Sequence, residues 1–265
     1  MSKLAEIRQI VLDIKNYLFS ITEKTHIAIV PEKGSIIDSQ REKLKEDAIK
    51  SIDSLCDSII YKMELSSHKL ATIKTFDWEI YHNFDYYSEI AKAKDGGDEK
   101  VIQKLHDGAL CIACKDKNTM ENFILTDIAT FFSNISSVID NISLILKDAF
   151  RLEIKGIVRI SEIHDKLADT NLKEILSQHM GKDYSFGGMR KVRKSCEHYD
   201  VTKVFQYSEA ASLGKRDLGA PYVNNNIVVF DTQEDGRIDI YCEFLHTKLI
   251  GFIKELKAAL SKVAS

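Results

Sequence analysis

Near the N-terminus, apolar residues return at alternating steps of three and four: Leu4, Ile7, Val11, Ile14, Leu18 and Ile21. A helix turns once every 3.6 residues, so this spacing puts all six on one stripe and predicts an amphipathic helix. A short apolar piece, His26 to Val30, runs into Pro31 and Gly34, which mark the first break. The same period returns in Ile49, Ile52, Cys56, Ile59 and Met63, predicting a second helix from about Ser39 to Leu65. A third, from about His68 to Lys94, is carried by Ile73, Phe76, Ile80, Phe84 and Tyr87. The stretch KDGGDEK at 94–100 ends it, because paired glycines weaken a helix interior and the charges hold the turn in water. A shorter helix follows, from about Lys100 to Cys114.

The most apolar pattern begins after Thr119, a suitable N-cap, and continues to about Phe150 through Ile124, Ile128, Phe131, Ile135, Val138, Ile142 and Leu146. Asp127, Asn134, Asp140 and Asn141 interrupt it at depths where a bilayer penalises polarity, so it reads as a core helix and no membrane contact is expected. Two short helices, about Ser161 to Asp169 and Thr170 to His179, come next. After Gly181 the chain mixes glycine, aromatic and basic residues, and a short helix is predicted from about Met189 to His198.

Residues 199–225 show no period and read as an irregular segment. From 226 to 244 apolar and polar residues alternate on both sides of Asp235-Gly236, a pattern that predicts a β-hairpin. A last helix, about Leu245 to Val263, presents Leu249, Phe252, Ile253, Leu256 and Leu260. The expected fold is therefore all-α: a helical bundle with one β-hairpin near the C-terminus.

Composition narrows the picture further. The chain has 265 residues, 44% hydrophobic and 29% charged, with no internal repeat or linker, so a single domain over 1–265 is expected. Only 2 prolines occur, which leaves room for long helices. A net charge of −3 excludes a surface built throughout to coat nucleic acid or anionic lipid, so any such contact must come from a local patch. The first ten residues carry charge and lack the apolar centre of a signal peptide. Five cysteines, odd in number and scattered, suit reduced thiols, and a cytoplasmic location is expected.

The densest chemistry lies at 190–198, where Arg190, Lys191, Arg193 and Lys194 stand beside Glu197 and His198. Cations next to a titratable imidazole suit a phosphate. Arg193 and His198 are five positions apart, about 140° around an ideal helix, so a distorted turn or a second subunit would have to bring them to one atom. The string RKSCEHY at 193–199 resembles the Arg-x4–6-His signature of the HEPN superfamily, helical domains found in many prokaryotic toxins and defence proteins. The same spacing recurs at Arg159 to His164, but the basic context favours 193–198.

The resemblance implies metal-independent RNA cleavage at a homodimer interface, without a cofactor. Arg193 would stabilise charge on the phosphorane and His198 would act as general acid or base. Arg190, Lys191, Lys194 and Glu197 would line the substrate-binding surface, and a cognate protein partner such as an antitoxin would be expected. The other reading is a non-catalytic helical module that binds a protein or nucleotide with the same segment.

Other candidates read as structure. Cys111 and Cys114 lie in an apolar run with no second ligand pair to complete a tetrahedral zinc site. Asp77, Glu79, His82 and Asp85 read as a solvated helix face. The sequence assigns His68, His164, His179 and His246 no role.

Overall fold

The computed structural model describes residues 3–27, 35–82, 117–180, 186–198, 204–206 and 220–265. The fold is all-α. Its helices are α1 (Lys3–Ile27), α2 (Ser35–Thr75), α3 (Trp78–His82), α4 (Lys117–Ala149), α5 (Ile160–Lys166), α6 (Thr170–Met180), α7 (Phe186–His198) and α8 (Ile238–Ala264). The predicted helix at 100–114, with Cys111 and Cys114, and the part of the third predicted helix beyond His82 lie outside the described residues.

The chain packs into two compact units, one of Met1–Ser66, Ser133–Met189 and Phe244–Ser265, the other of Ser67–Phe132 and Arg190–Glu243. In the first, the stripe read from the sequence of α1 is buried from Ile7 through Val11, Ile14 and Leu18 to Ile21. Ile52, Cys56, Ile59 and Met63 of α2 and Leu249, Phe252, Leu256 and Leu260 of α8 are buried as well. Polar contacts fix the lateral order of these helices. Lys254 and Lys257 of α8 reach Glu6 and Asp13 of α1 at 2.8 and 2.6 Å. Ser58 and Lys62 of α2 bond Asn141 and Ser137 of α4 at 3.1 and 2.6 Å.

The second unit centres on aromatic packing. Tyr241 is fully buried and meets Phe132 and Phe230 at 5.8 and 4.9 Å between ring centroids. Lys69 of α2 is hydrogen-bonded to the buried carboxylate of Asp127. Trp78 and Tyr81 are the buried aromatics around α3, stacking edge-on with one another at 5.9 Å.

Two expectations need correction. The first is the break between the second and third helices: α2 runs unbroken from Ser35 to Thr75. Ser66, at the expected break, is buried and donates its hydroxyl to the Lys62 carbonyl one turn earlier, so it satisfies itself inside the helix.

The second is the β-hairpin at 226–244. Asp235-Gly236 sits in a 3-10 turn, Glu234–Gly236, and α8 begins at Ile238. A tight hairpin turn there would require positive φ, whereas Gly156 is the one positive-φ glycine among the described residues. Asp235 instead accepts bonds from the backbone and hydroxyl of Thr232 at 3.1 and 2.8 Å, and its own N–H donates to Thr232 Oγ1. Ile238, Tyr241, Cys242, Leu245 and Leu249 are all buried and continue the helical period. Among the described residues the paired strands lie elsewhere: β1 (Phe205–Gln206) runs antiparallel to β2 (Tyr222–Val223), with Phe205 opposite Val223, and an isolated bridge links Tyr222 to Arg237. It closes part of the segment that reads as irregular. Residues 199–203 and 207–219 of that segment lie outside the described residues.

Candidate functional site

The basic segment forms α7, which begins three residues before the predicted start, so Gly187 and Gly188 fall in its first turn. Phe186, Met189 and Val192 recur at steps of three and are buried, which fixes the rotation of the helix. Lys191 and Lys194 are exposed on the side facing away from them, while Arg190 and Arg193 are half-buried, Arg190 at the edge of the apolar face and Arg193 in register with Phe186 and Met189. Neither arginine is free of intramolecular interaction. The backbones of Glu197 and His198 belong to α7, but their side chains lie outside the described residues.

The register sorts the expected site. At about 100° per residue, position 198 lies some 40° from position 194 and 20° from position 191, on the exposed face. Position 193 lies about 140° from position 198, on the same side as position 197. The helix therefore groups Lys191, Lys194 and the His198 position, and separates Arg193 from them. One copy of α7 does not direct the Arg193 and His198 positions to a common point.

Phe186 anchors the start of α7. Its ring lies 6.3 Å from His179 of α6 and 6.1 Å from Phe252 of α8, with the Lys248 ammonium 6.0 Å over its face. His179 bonds Glu255 at 2.8 Å through Nε2, and its Nδ1 is buried without a hydrogen-bond partner.

A separate cleft of about 340 Å³ opens at the C-terminus of α4. Leu44, Ala48 and Leu152 form its apolar wall, and Asp47, Lys147 and Arg151 bring charges of both signs. Arg151 has φ of 50°. Its N–H donates to the Asp148 carbonyl and that of Leu152 to the Lys147 carbonyl, so Arg151 occupies the left-handed position of a Schellman cap. None of the residues singled out at 190–198 lines this cleft.

The thiols are quiescent where they are buried. Burial pushes Cys56 up to about 12 and raises Cys242 well above the ordinary thiol range. Among the described residues, no group of three or more His, Cys, Asp and Glu side chains converges as a metal site would require. No family model matches the chain, and no curated protein or solved structure matches it.

Proposed function

We propose that the protein is an HEPN-like, RNA-directed protein that engages the RNA backbone with the exposed cationic face of α7, as a homodimer. The observation that carries this reading is the amphipathic split of α7: Met189 and Val192 are buried while Lys191 and Lys194 stand in solvent with the His198 position between them in register. Phosphate contacts from such a row are electrostatic, independent of sequence and weakened by salt. The cleavage step rests on the HEPN resemblance. Arg193 of one copy would reach the phosphate served by His198 of another, because the two positions diverge on one helix.

RNA binding and cleavage are separable. In chelator, wild type cleaves single-stranded RNA, and His198→Ala binds it equally but does not cleave. Lys191→Ala and Lys194→Ala each weaken binding and lower the slope of log K against log salt by about 1. Light scattering at micromolar protein returns twice the chain mass. Salt-independent binding by all variants removes the RNA reading, and equal cleavage by wild type and His198→Ala removes the catalytic one.

One observation favours a second reading, a non-catalytic interaction module. Arg193 is half-buried and lies in register with the buried Phe186 and Met189, so its guanidinium is less open to an outside phosphate than the ammonium groups of Lys191 and Lys194. Salt-sensitive RNA binding with no cleavage by any variant selects this reading.

A further inference from the structure

The helical hairpin α5–α6 builds a constellation that neither the basic segment nor the HEPN resemblance uses. The Ser177 hydroxyl lies 2.9 Å from Nε2 of His164, and Nδ1 of the same ring lies 3.0 Å from a carboxylate oxygen of Asp165. This is the bonding order of a serine nucleophile, an imidazole base and an orienting carboxylate. With Nδ1–H donating to Asp165, Nε2 is left as the acceptor for the Ser177 proton.

The placement is fixed by the core. Ile163 and Leu176, the residues just before His164 and Ser177, are both fully buried, and Asp169 caps α6 by accepting the Leu172 N–H at 2.7 Å. The turn from Leu167 to Asp169 folds α6 back on α5 and thereby carries Ser177 to a histidine 13 positions earlier. The reacting end is open: Ser177 is exposed and the His164 side chain is 28% exposed.

We propose that Ser177, His164 and Asp165 form a nucleophilic serine centre that accepts acyl groups from small, activated carboxylic esters. Ser177 Oγ attacks the ester carbonyl as its proton passes to His164 Nε2. Collapse of the tetrahedral adduct breaks the bond to the alcohol oxygen, which takes that proton and leaves. Water then adds to the acyl-serine, giving its proton to His164, and the acid departs as Ser177 is reprotonated.

The class of substrate follows from what surrounds the hydroxyl. Ser177 sits inside α6, where its backbone N–H is committed to the helix and cannot cradle an oxyanion. The barrier must therefore be lowered by the leaving group, which selects esters of acidic alcohols. Asp165 is a positioning residue; at 77% exposure it holds the ring's tautomer in a solvated setting.

The test uses the full chain with p-nitrophenyl acetate and, separately, a fluorophosphonate probe whose adduct is located by mass spectrometry. Ser177 is expected to be the modified serine, with a rate that rises with pH as catalysis by a neutral imidazole base requires. Ser177→Ala abolishes labelling, His164→Ala lowers the rate at least tenfold and removes the rise with pH, and Asp165→Asn lowers it by a smaller factor. Folding is followed by circular dichroism, and Asp165→Asn, a surface change, keeps the question open to a decision if Ser177→Ala or His164→Ala fails to fold. Absence of a serine adduct, modification of Ser177 at the same rate and pH profile in folded His164→Ala, or unchanged kinetics in Asp165→Asn would overturn the proposal and leave the two hydrogen bonds as a strut between α5 and α6.

Discussion

At the scale of single residues, buried groups that lack a partner are the most informative. His179 keeps its ring against Phe186 and Phe252 while Nδ1 stays buried and unbonded. Leaving a polar atom so costs roughly 1–3 kcal/mol, offset in part by the bond to Glu255. His179→Phe retains the ring contacts and frees Glu255, which is half-exposed and stays hydrated. Denaturant unfolding should place it within about 1 kcal/mol of wild type, or above it. His179→Ala, which loses the ring as well, should cost about 2 kcal/mol or more. Nothing in the sequence around His179 signals this role, because its partners lie on α7 and α8 and not on its own helix. The same applies to His164, whose partner Ser177 is supplied by the fold of a helical hairpin. Arg193 and His198 illustrate the converse. They are close in sequence, yet their backbone positions fall about 140° apart around α7, as the spacing of five already implies.

At the scale of elements, period is legible and punctuation is not. Every position expected on the α4 stripe, from Ile124 to Leu146, is buried, and the helix ends within two residues of both expected limits. Such stripes are readable because burying one face is a demand on all turns of a helix together. Ser66-Ser67 and Asp235-Gly236, by contrast, are turn-forming residues whose outcome depends on what they bond. Ser66 bonds within α2, and Asp235 locks a 3-10 turn that starts α8. Alternation over 237–244 is compatible with a strand only if the buried continuation through Leu245 and Leu249 belongs to a separate helix. Gly236 shows what the turn requires. A Cβ there would lie 3.0 Å from the Phe230 ring, which itself packs edge-on against Tyr241. Gly236→Ala should therefore destabilise by about 1–3 kcal/mol through overpacking, not through backbone strain. Adding Phe230→Leu should recover part of that loss in a double-mutant cycle, and additive costs would show that the contact is not the cause.

For the whole molecule, charge sets the limits of stability with pH more than it sets the fold. Hydrogen bonds from Lys257 and Gln9 hold the Asp13 carboxyl below the usual carboxylate range, and Asp13 in turn raises Lys257. The Asp13 contribution is thus complete near neutrality and disappears as pH falls through the lowered value. That of Lys257 disappears only as pH rises through its raised value. The pair lies near the surface, where solvent screens it, so it is worth less than about 1 kcal/mol. Asp13→Asn should lower unfolding free energy slightly at pH 7, and the difference from wild type should shrink as pH falls and the Asp13 carboxyl takes up a proton. A loss that stays the same as pH falls would mean that the effect is steric.

The polar rungs of α4 carry a consequence beyond packing. The span Asn118–Ala149 is long and apolar enough, by length and composition, to cross a membrane, although 67% of its most apolar window is buried inside the protein. While the chain is being synthesised that burial does not yet exist, and insertion machinery meets the segment by itself. A charge at the centre of such a segment disfavours partitioning by about 3 kcal/mol, and the penalty falls toward its ends. Asp127 and Asn134, which the folded protein keeps almost wholly out of water, would thus also weigh against membrane insertion of the nascent segment. Transplanted into a host protein bearing glycosylation reporters, residues 117–149 should remain mostly untranslocated as a span, and Asp127→Leu with Asn134→Leu should turn them into an efficient one.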